Sequence, residues 1–186
     1  MTGTSTTVRP QLTHMGINVY DIAAMEAFYT GVLGLVVTDR GVGKTFKAQL
    51  VFMSSNPYSH HQLVLASGRD PGSPATSINQ ISFKVEDLDQ LREMYRRVRE
   101  HGVEGLRPLN HGNAWSMYFA DPEGNNVEVY CDSPWYVSQP HGDPFDPEAP
   151  TGQIVAETEA VVRQDPDFMP VEQWRERLRA RLEERA

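Results

Sequence analysis

The chain of 186 residues has little cysteine, no long apolar run and no basic cluster. Its single cysteine, Cys131, cannot form a disulfide within the chain, which fits a reducing compartment such as the cytoplasm. No segment approaches the ~20 apolar residues of a membrane-spanning helix, and the N-terminal MTGTSTTVRPQ has no apolar segment typical of a signal peptide. A formal net charge of −8 argues against nucleic acid or an anionic membrane as partner. These absences leave the handling of a small molecule in the cytoplasm as the expectation.

The most informative feature that is present is an internal repeat. Residues 12–22, LTHMGINVYDI, align with residues 78–88, INQISFKVEDL, at an offset of 66 positions. Both segments alternate apolar and polar side chains, which is the pattern of a strand with one buried face. His14 and Gln80 occupy the same position in the two copies, in the polar series of each. The repeat therefore predicts two similar strands whose polar faces could line one cleft.

Each copy continues in the same order of strand, helix, strand, strand and strand. Asp21 and Asp87 are suited to cap the helices, and residues 39–43, DRGVG, suggest a turn. The remaining strands are predicted at residues 35–38, 46–53 and 61–66 in the first copy, and at 103–109, 115–120 and 126–130 in the second. The predicted class is α+β, with two βαβββ modules of about 60 residues each.

The predicted organisation places one domain over residues 10–132. It consists of a first module at 10–70 and a second at 71–132, preceded by a flexible N-terminus at 1–9. Five prolines between residues 133 and 150 indicate an extended arm. Two helices are predicted beyond it, at 153–163 and 171–184, to complete a C-terminal tail at 133–186.

Glu128 is the first candidate for chemistry, because it stands between two valines in a predicted strand. Alternation turns Val127 and Val129 toward the helix and Glu128 toward the polar face. A carboxylate there is costly unless it is paired or binds a metal, although an exposed glutamate on a half-buried strand is the simpler alternative. With His14 and Gln80 it would form a mixed nitrogen and oxygen set suited to Fe(II), Mn(II), Co(II), Ni(II) or Zn(II).

Other polar residues are weaker candidates for a functional role. The adjacent His60 and His61 are either a surface pair or include a general acid/base near the metal. His111 and Tyr118 could hydrogen-bond a substrate oxygen, and a plain loop and core role is at least equally favoured. Cys131 has no basic neighbour in the sequence and is interpreted as structural.

Four segments together resemble the vicinal oxygen chelate superfamily, which includes glyoxalase I, bleomycin-resistance proteins and extradiol dioxygenases. They are LTHMGINVYDIAAMEAFYTGVLGL, HHQLVLASG, INQISFKVEDLDQL and YFADPEGNNVEVY. The resemblance covers residues 10–132 and leaves the tail outside the shared pattern. It implies that the two modules form a cupped, open barrel around one metal site.

Within the superfamily the chain is most similar to the catalytic module of extradiol dioxygenases of the biphenyl-2,3-diol type. That resemblance implies that His14 and Glu128 are metal ligands and that His61 is the acid/base. It further implies that Tyr118 contacts the substrate, assisted by a histidine in the loop near His111. Gln80 stands where the dioxygenases have a histidine, although glutamine is a ligand in some glyoxalase I enzymes.

The first module has Val64, which cannot bind a metal, at the position equivalent to Glu128. The resemblance to glyoxalase I would imply four protein ligands, one of them from the last strand of each module. Three protein ligands would instead leave positions open for a bidentate catechol and dioxygen, which favours a dioxygenase over a glyoxalase.

The expected function is accordingly an Fe(II)-dependent extradiol-type dioxygenase, with Mn(II) as the alternative metal. Its partners would be a small aromatic substrate and dioxygen, and the resemblance implies a homodimer. Two alternatives stay open: a glyoxalase-type metal-dependent isomerase or lyase, and a bleomycin-resistance-like protein that binds a small molecule without turnover.

Overall fold

The computed structural model describes residues 10–43, 47–73 and 78–184. The predicted flexible N-terminus at 1–9 lies outside this range. The first module consists of β1 (Met15–Val19), α1 (Ile22–Gly31), β2 (Val36–Val42), β3 (Gln49–Ser54) and β4 (Leu63–Ser67). The second consists of β5 (Ile81–Lys84), α2 (Leu88–Glu100), β6 (Arg107–Asn110), β7 (Ala114–Ala120) and β8 (Asn126–Asp132). The tail contains β9 (Trp135–Tyr136), β10 (Asp143–Pro144), α3 (Thr151–Val162), β11 (Met169–Pro170) and α4 (Val171–Glu183).

The two modules form two sheets of the same topology. The strand order is β1-β4-β3-β2 in one and β5-β8-β7-β6 in the other, where β10 extends the edge beyond β6. In each sheet the first and last strands of the module pair in parallel, opposing Gly16 to Val64 and Ser82 to Glu128. Within the described ranges no strand ladder joins the two sheets. The predicted α+β class and the duplicated βαβββ order are confirmed.

The two module helices begin where the sequence places their caps. Oδ1 of Asp21 accepts hydrogen bonds from the backbone of Ala23 and Ala24, at 3.1 and 2.9 Å. Asp87 accepts from the backbone of Gln90 at 2.9 Å, and the Gln90 side chain accepts from the backbone of Glu86 at 3.1 Å. This arrangement is a variant of the capping box, in which the Gln90 side chain reaches one residue beyond the N-cap Asp87. Both helices bury an apolar stripe in one core that includes residues of both modules: Met25, Phe28, Tyr29, Leu88, Leu91, Met94 and Val98.

The turn between β7 and β8 ties the second module to the first. The hydroxyl of Tyr29 on α1 donates to Oδ2 of Asp121 at 2.9 Å, and both residues are buried. Burial, reinforced by Asp121, raises the pKa of Tyr29 well above its usual range. Glu123 accepts from the backbone of Asp21 at 2.9 Å and forms an ion pair with Arg69 at 3.1 Å. These contacts join both ends of α1 to the opposite module through the carboxylates of Asp121 and Glu123, which are sheltered from water.

Several predicted boundaries are wrong, and the largest error concerns residues 39–43. They are not a turn, because β2 continues to Val42 and pairs with β3. A bulge between Val37 and Asp39 takes up one residue of the strand, so the pairing resumes beyond it. The side chains from Thr38 to Val42 are exposed at this sheet edge, which is why they lack an apolar alternation.

Three other strands start later than predicted. β3 begins at residue 49 and β6 at residue 107, and the predicted first residue of β3, Phe46, lies outside the described range. β4 begins at Leu63, so His61 belongs to the connection that leads into the strand.

The C-terminal tail packs on the second module. In α3 the Thr158 hydroxyl accepts hydrogen bonds from Trp115 Nε1 and Asn110 Nδ2, both at 2.9 Å. α4 has no buried residue in the described chain, and its Trp174 stacks on Tyr136 with ring centroids 5.4 Å apart. Across residues 10–43, 47–73 and 78–184, no helix is long and apolar enough to cross a membrane.

We expect Tyr29→Phe to lower the free energy of unfolding by about 1.5–3 kcal/mol, because a buried carboxylate loses a donor. Urea denaturation measures the change. Tyr58→Phe is the matched control, because Tyr58 is 96% exposed and should leave stability unchanged. Equal stability of the two variants would show that the Tyr29 hydroxyl contributes nothing to the junction of the modules.

Candidate active site

Glu128 lies on the polar face of β8 with its carboxylate enclosed by three neutral donors. Val127 and Val129 are in the core, as alternation predicts, and Glu128 itself is only 7% exposed. Its Oε2 accepts from Gln80 Nε2 at 2.7 Å and from the Ser82 hydroxyl at 2.5 Å. Two of its donors follow from strand register, since Ser82 on β5 and Tyr118 on β7 are both directly opposite Glu128.

Tyr118 links Glu128 to His111. The Tyr118 hydroxyl donates to Oε1 of Glu128 at 2.5 Å and lies 2.9 Å from Nε2 of His111. Burial, together with the hydrogen bond to Glu128, raises the pKa of Tyr118 above its usual range. Nδ1 of His111 is 2.6 Å from the main-chain oxygen of His141. A continuous row of hydrogen-bonding groups therefore runs from Glu128 to the C-terminal arm.

The histidines of the first module form a second group. The rings of His14 and His61 are 4.4 Å apart between centroids, and Nδ1 of His60 is 3.0 Å from Nδ1 of His61. Burial lowers the pKa of His61, and the neighbouring His14 and His60 lower it further. His61 is consequently neutral over a wider pH range than an ordinary histidine and can accept a proton.

The two groups meet at the junction of β1 and β5. His14 and Ser82 line one cavity of about 210 Å³ there, together with Leu63 and Ile81. Gln80 and Glu128 are in direct contact, and so are His14 and His61. No hydrogen bond joins His14 to Glu128 in the described chain. The structure thus brings the predicted site residues together as two neighbouring groups, not as one contact cluster.

The donor set fits a divalent metal, although it depends on Gln80. No three His, Cys, Asp or Glu side chains of the described residues lie close enough to hold a metal by themselves. Glu128, however, is a buried carboxylate without an ion pair in that part of the chain, and such a charge is costly without a counter-charge. Nδ1 of His14 is 3.1 Å from the Thr13 hydroxyl, which leaves Nε2 for a ligand in the arrangement common to metal-binding histidines. Imidazole nitrogen, amide oxygen and carboxylate suit the metals predicted above.

Three residues of the site were missed by sequence reasoning. Ser82 belongs to the polar series of the second repeat segment, and its contact with Glu128 follows from the β5–β8 register. Gln139 and His141 lie in the arm, which the repeat does not include. Gln139 lines a cavity of about 270 Å³ with Glu128 and His111.

Cys131 has the structural role that the sequence suggests. It is fully buried, and burial, aided by Asp87 and Asp132, raises the pKa of its thiol to about 12. A thiol with that pKa has almost no thiolate at neutral pH and is a poor nucleophile.

The comparison with known families decides the classification. The profile described as Glyoxalase/Bleomycin resistance protein/Dioxygenase superfamily matches residues 11–129. The chain belongs to this superfamily. The resemblance stated from the sequence is confirmed, and the tail beyond residue 132 lies outside the matched range.

Two curated relatives are dioxygenases of Rhodococcus globerulus. Biphenyl-2,3-diol 1,2-dioxygenase 3 is 30% identical over 132 residues, covering 68% of this chain and 66% of that protein. This chain thus spans just under two thirds of that relative. Biphenyl-2,3-diol 1,2-dioxygenase 2 is 28% identical over 160 residues, covering 76% of this chain and 80% of that protein.

Other relatives carry out different chemistry. Lactoylglutathione lyase of Salmonella typhimurium is 24% identical over 125 residues, covering 64% of this chain and 90% of the lyase. Among solved structures, a fosfomycin resistance protein from Listeria monocytogenes in complex with Mn(II) and sulfate has a TM-score of 0.52 at 20% identity. It covers 68% of this chain and 95% of that one. This structure confirms the fold, and the named relatives include dioxygenases, a lyase and a resistance protein in complex with Mn(II).

Proposed function

We propose that this protein is a metal-dependent dioxygenase of the extradiol type that cleaves a small catechol-like aromatic with dioxygen. The observation that carries the proposal is the buried Glu128 carboxylate, which three neutral donors orient and no cation in the described chain compensates. The two Rhodococcus dioxygenases support the reaction type, because their names specify diol substrates.

His14, Gln80 and Glu128 would hold the metal, with Fe(II) the favoured ion and Mn(II) the alternative. The bound metal would supply a binding site for both diol oxygens and the redox chemistry that dioxygen requires. Ser82 and Tyr118 hold the Glu128 carboxylate in one orientation by donating to different oxygens. The Gln80 amide donates through Nε2 to Glu128, which leaves its Oε1 atom for the metal.

His61 is the proposed acid/base. Its lowered pKa keeps the ring neutral, so that Nε2 or Nδ1 can take a phenolic proton and later return it. Tyr118 and His111 would hold the substrate oxygens from the opposite side. This arrangement separates proton transfer, on the first module, from substrate positioning, on the second.

A second candidate function is a glyoxalase-type isomerase or lyase. The match to lactoylglutathione lyases and the presence of Gln80 in place of a histidine favour it. A binding protein without turnover is the third reading, and the neutral His61 beside His14 speaks against it because pure binding needs no proton acceptor. The homodimer and the cytoplasmic location remain predictions from the sequence and the resemblance.

Anaerobic metal analysis is the direct test. We expect near-stoichiometric iron or manganese in the purified protein, and Glu128→Gln should lose it because the anionic ligand is gone. Asp132→Asn is the control, since Asp132 is on the same strand and instead pairs with Lys84 at 2.6 Å.

The identity of the metal separates the candidate functions. Nickel, zinc or cobalt would favour the lyase, and oxygen uptake with catechols would then be absent. Failure to bind any metal under any loading condition would eliminate both the dioxygenase and the lyase.

Replacing Gln80 tests its place in the metal site. Gln80→His should raise iron affinity by about 10-fold or more, because imidazole is a stronger donor than a neutral amide. Competition with a chelator measures the dissociation constant. An unchanged constant would place Gln80 outside the metal's ligand set.

Replacing His61 tests the acid/base role. His61→Ala should lower turnover by on the order of 10²–10⁴-fold while metal content stays at the wild-type level. In the wild type the acidic limb of the pH profile of kcat/KM should lie below the usual histidine pKa of ~6.5, because a lowered pKa keeps His61 a base at lower pH. Loss of metal in His61→Ala would instead indicate that His61 is a metal ligand.

A further inference from the structure

The C-terminal arm crosses directly over the turn that carries His111. β10 pairs with β6, opposing Asp143 to Asn110. The Ser133 hydroxyl donates to the main-chain oxygen of Gly112 at 2.5 Å. Gly112 has a φ of +72°, and a Cβ at this position would come within 2.6 Å of Val137 in the arm. The turn and the arm are therefore packed as one unit, in which a side chain at Gly112 has no room.

Gln139 bridges the two sides of this contact with both ends of its amide. Its Nε2 donates to the main-chain oxygen of His111 at 2.9 Å, and its Oε1 accepts from the backbone of His141 at 3.1 Å. The main-chain oxygen of His141 in turn lies 2.6 Å from Nδ1 of the His111 ring. Gln139 thus fixes the distance between the backbone of His111 and the His141 carbonyl that the His111 ring contacts.

This geometry determines where the imidazole carries its proton. A carbonyl oxygen can only accept, so Nδ1 of His111 must be the donor. In the neutral ring Nε2 then carries a lone pair 2.9 Å from the Tyr118 hydroxyl. The single proton of that hydroxyl is donated to Oε1 of Glu128, so Nε2 and Oε1 compete for it. His111 and Glu128 line the same cavity. Without the arm, nothing in these contacts would select the Nδ1–H tautomer.

We propose that the C-terminal arm is a positioning element of the site, in which Gln139 holds the carbonyl of His141 against Nδ1 of His111 and fixes the tautomer and direction of that ring. The consequence is that Nε2 of His111 presents a lone pair that can accept a proton from a substrate hydroxyl, or from Tyr118 once Tyr118 no longer donates to Glu128. Only this substrate contact rests on the proposed dioxygenase function. The tautomer itself is a property of the folded chain.

The experiment compares three variants of the full-length chain by side-chain ¹⁵N NMR at pH 8, above the reference histidine pKa of ~6.5. Gln139→Ala removes both amide contacts. Gln139→Glu keeps the acceptor for the His141 backbone but sets a carboxylate against the His111 carbonyl. Ser138→Ala is the control, because Ser138 is the neighbouring arm residue and donates instead to Asp167 at 2.7 Å. The His111 signals are assigned from their loss in His111→Gln.

We expect His111 to be in the Nδ1–H form in the wild type and in Ser138→Ala, and the Nε2–H form to increase several-fold in both Gln139 variants. Circular dichroism and thermal melts should show all variants folded. An Nε2–H ring in the wild type would overturn the proposal, and so would an unchanged tautomer in Gln139→Ala.

Oxygen uptake with catechol by the metal-loaded protein gives a second readout. Gln139→Ala should lower kcat/KM by about 10-fold or more, since small displacements of a positioning group are costly to rate, while Ser138→Ala should not. An altered tautomer with unchanged kcat/KM would overturn the role in the reaction. Absence of uptake in the wild type, with the tautomer behaving as expected, would refute the dioxygenase but leave the positioning role of the arm intact.

Discussion

The buried carboxylate of Glu128 is the constraint on which the polar face of this protein depends. Its charge is tolerated in the middle of a strand because donors reach it from both neighbouring strands, Ser82 on β5 and Tyr118 on β7. Those donors are in place only because the parallel β5–β8 and antiparallel β7–β8 ladders have the observed register. A slip of one residue would turn Glu128 into the core and Val127 or Val129 to the cleft. The ladders that build the second sheet therefore also build the site.

Much of this arrangement could be predicted because it is local or repeated in the sequence. Period-two alternation predicts the burial of Val127 and Val129 around Glu128, and the two capping aspartates mark the starts of both helices. Alignment of the last strands of the two modules, at an offset of 64 positions where the first strands have 66, assigns Val64 to the position of Glu128 from the sequence alone. The observed pairing of Gly16 with Val64 and of Ser82 with Glu128 agrees with that assignment.

What could not be predicted depends on contacts between distant segments. The extension of β2 through residues 39–42 relies on pairing with β3 across a bulge, and its exposed side chains carry no alternation. Gln80 is read as a possible ligand from its position, but its hydrogen bond to Glu128 joins residues 48 positions apart. The contacts of Gln139 and His141 with His111 also lie outside the repeat, since no equivalent arm follows the first module. Sequence periodicity describes how one element faces the core, and says little about which side chains meet across elements.

The two modules present different side chains to a small molecule that enters the cleft between them. The second sheet has Ser82 opposite Glu128, whereas the first has Gly16 opposite Val64 at the equivalent positions. A Cβ at Gly16 would meet nothing closer than Val64 at 3.8 Å. The cavity on that side is lined by Leu50, Phe52, Val64 and Ala66 as well as the histidines. A guest with one polar and one apolar end is thereby oriented before any reaction, since the wall formed by the first module, apart from its histidines, is largely apolar. Two modules of the same topology therefore form a cleft whose two walls differ in polarity.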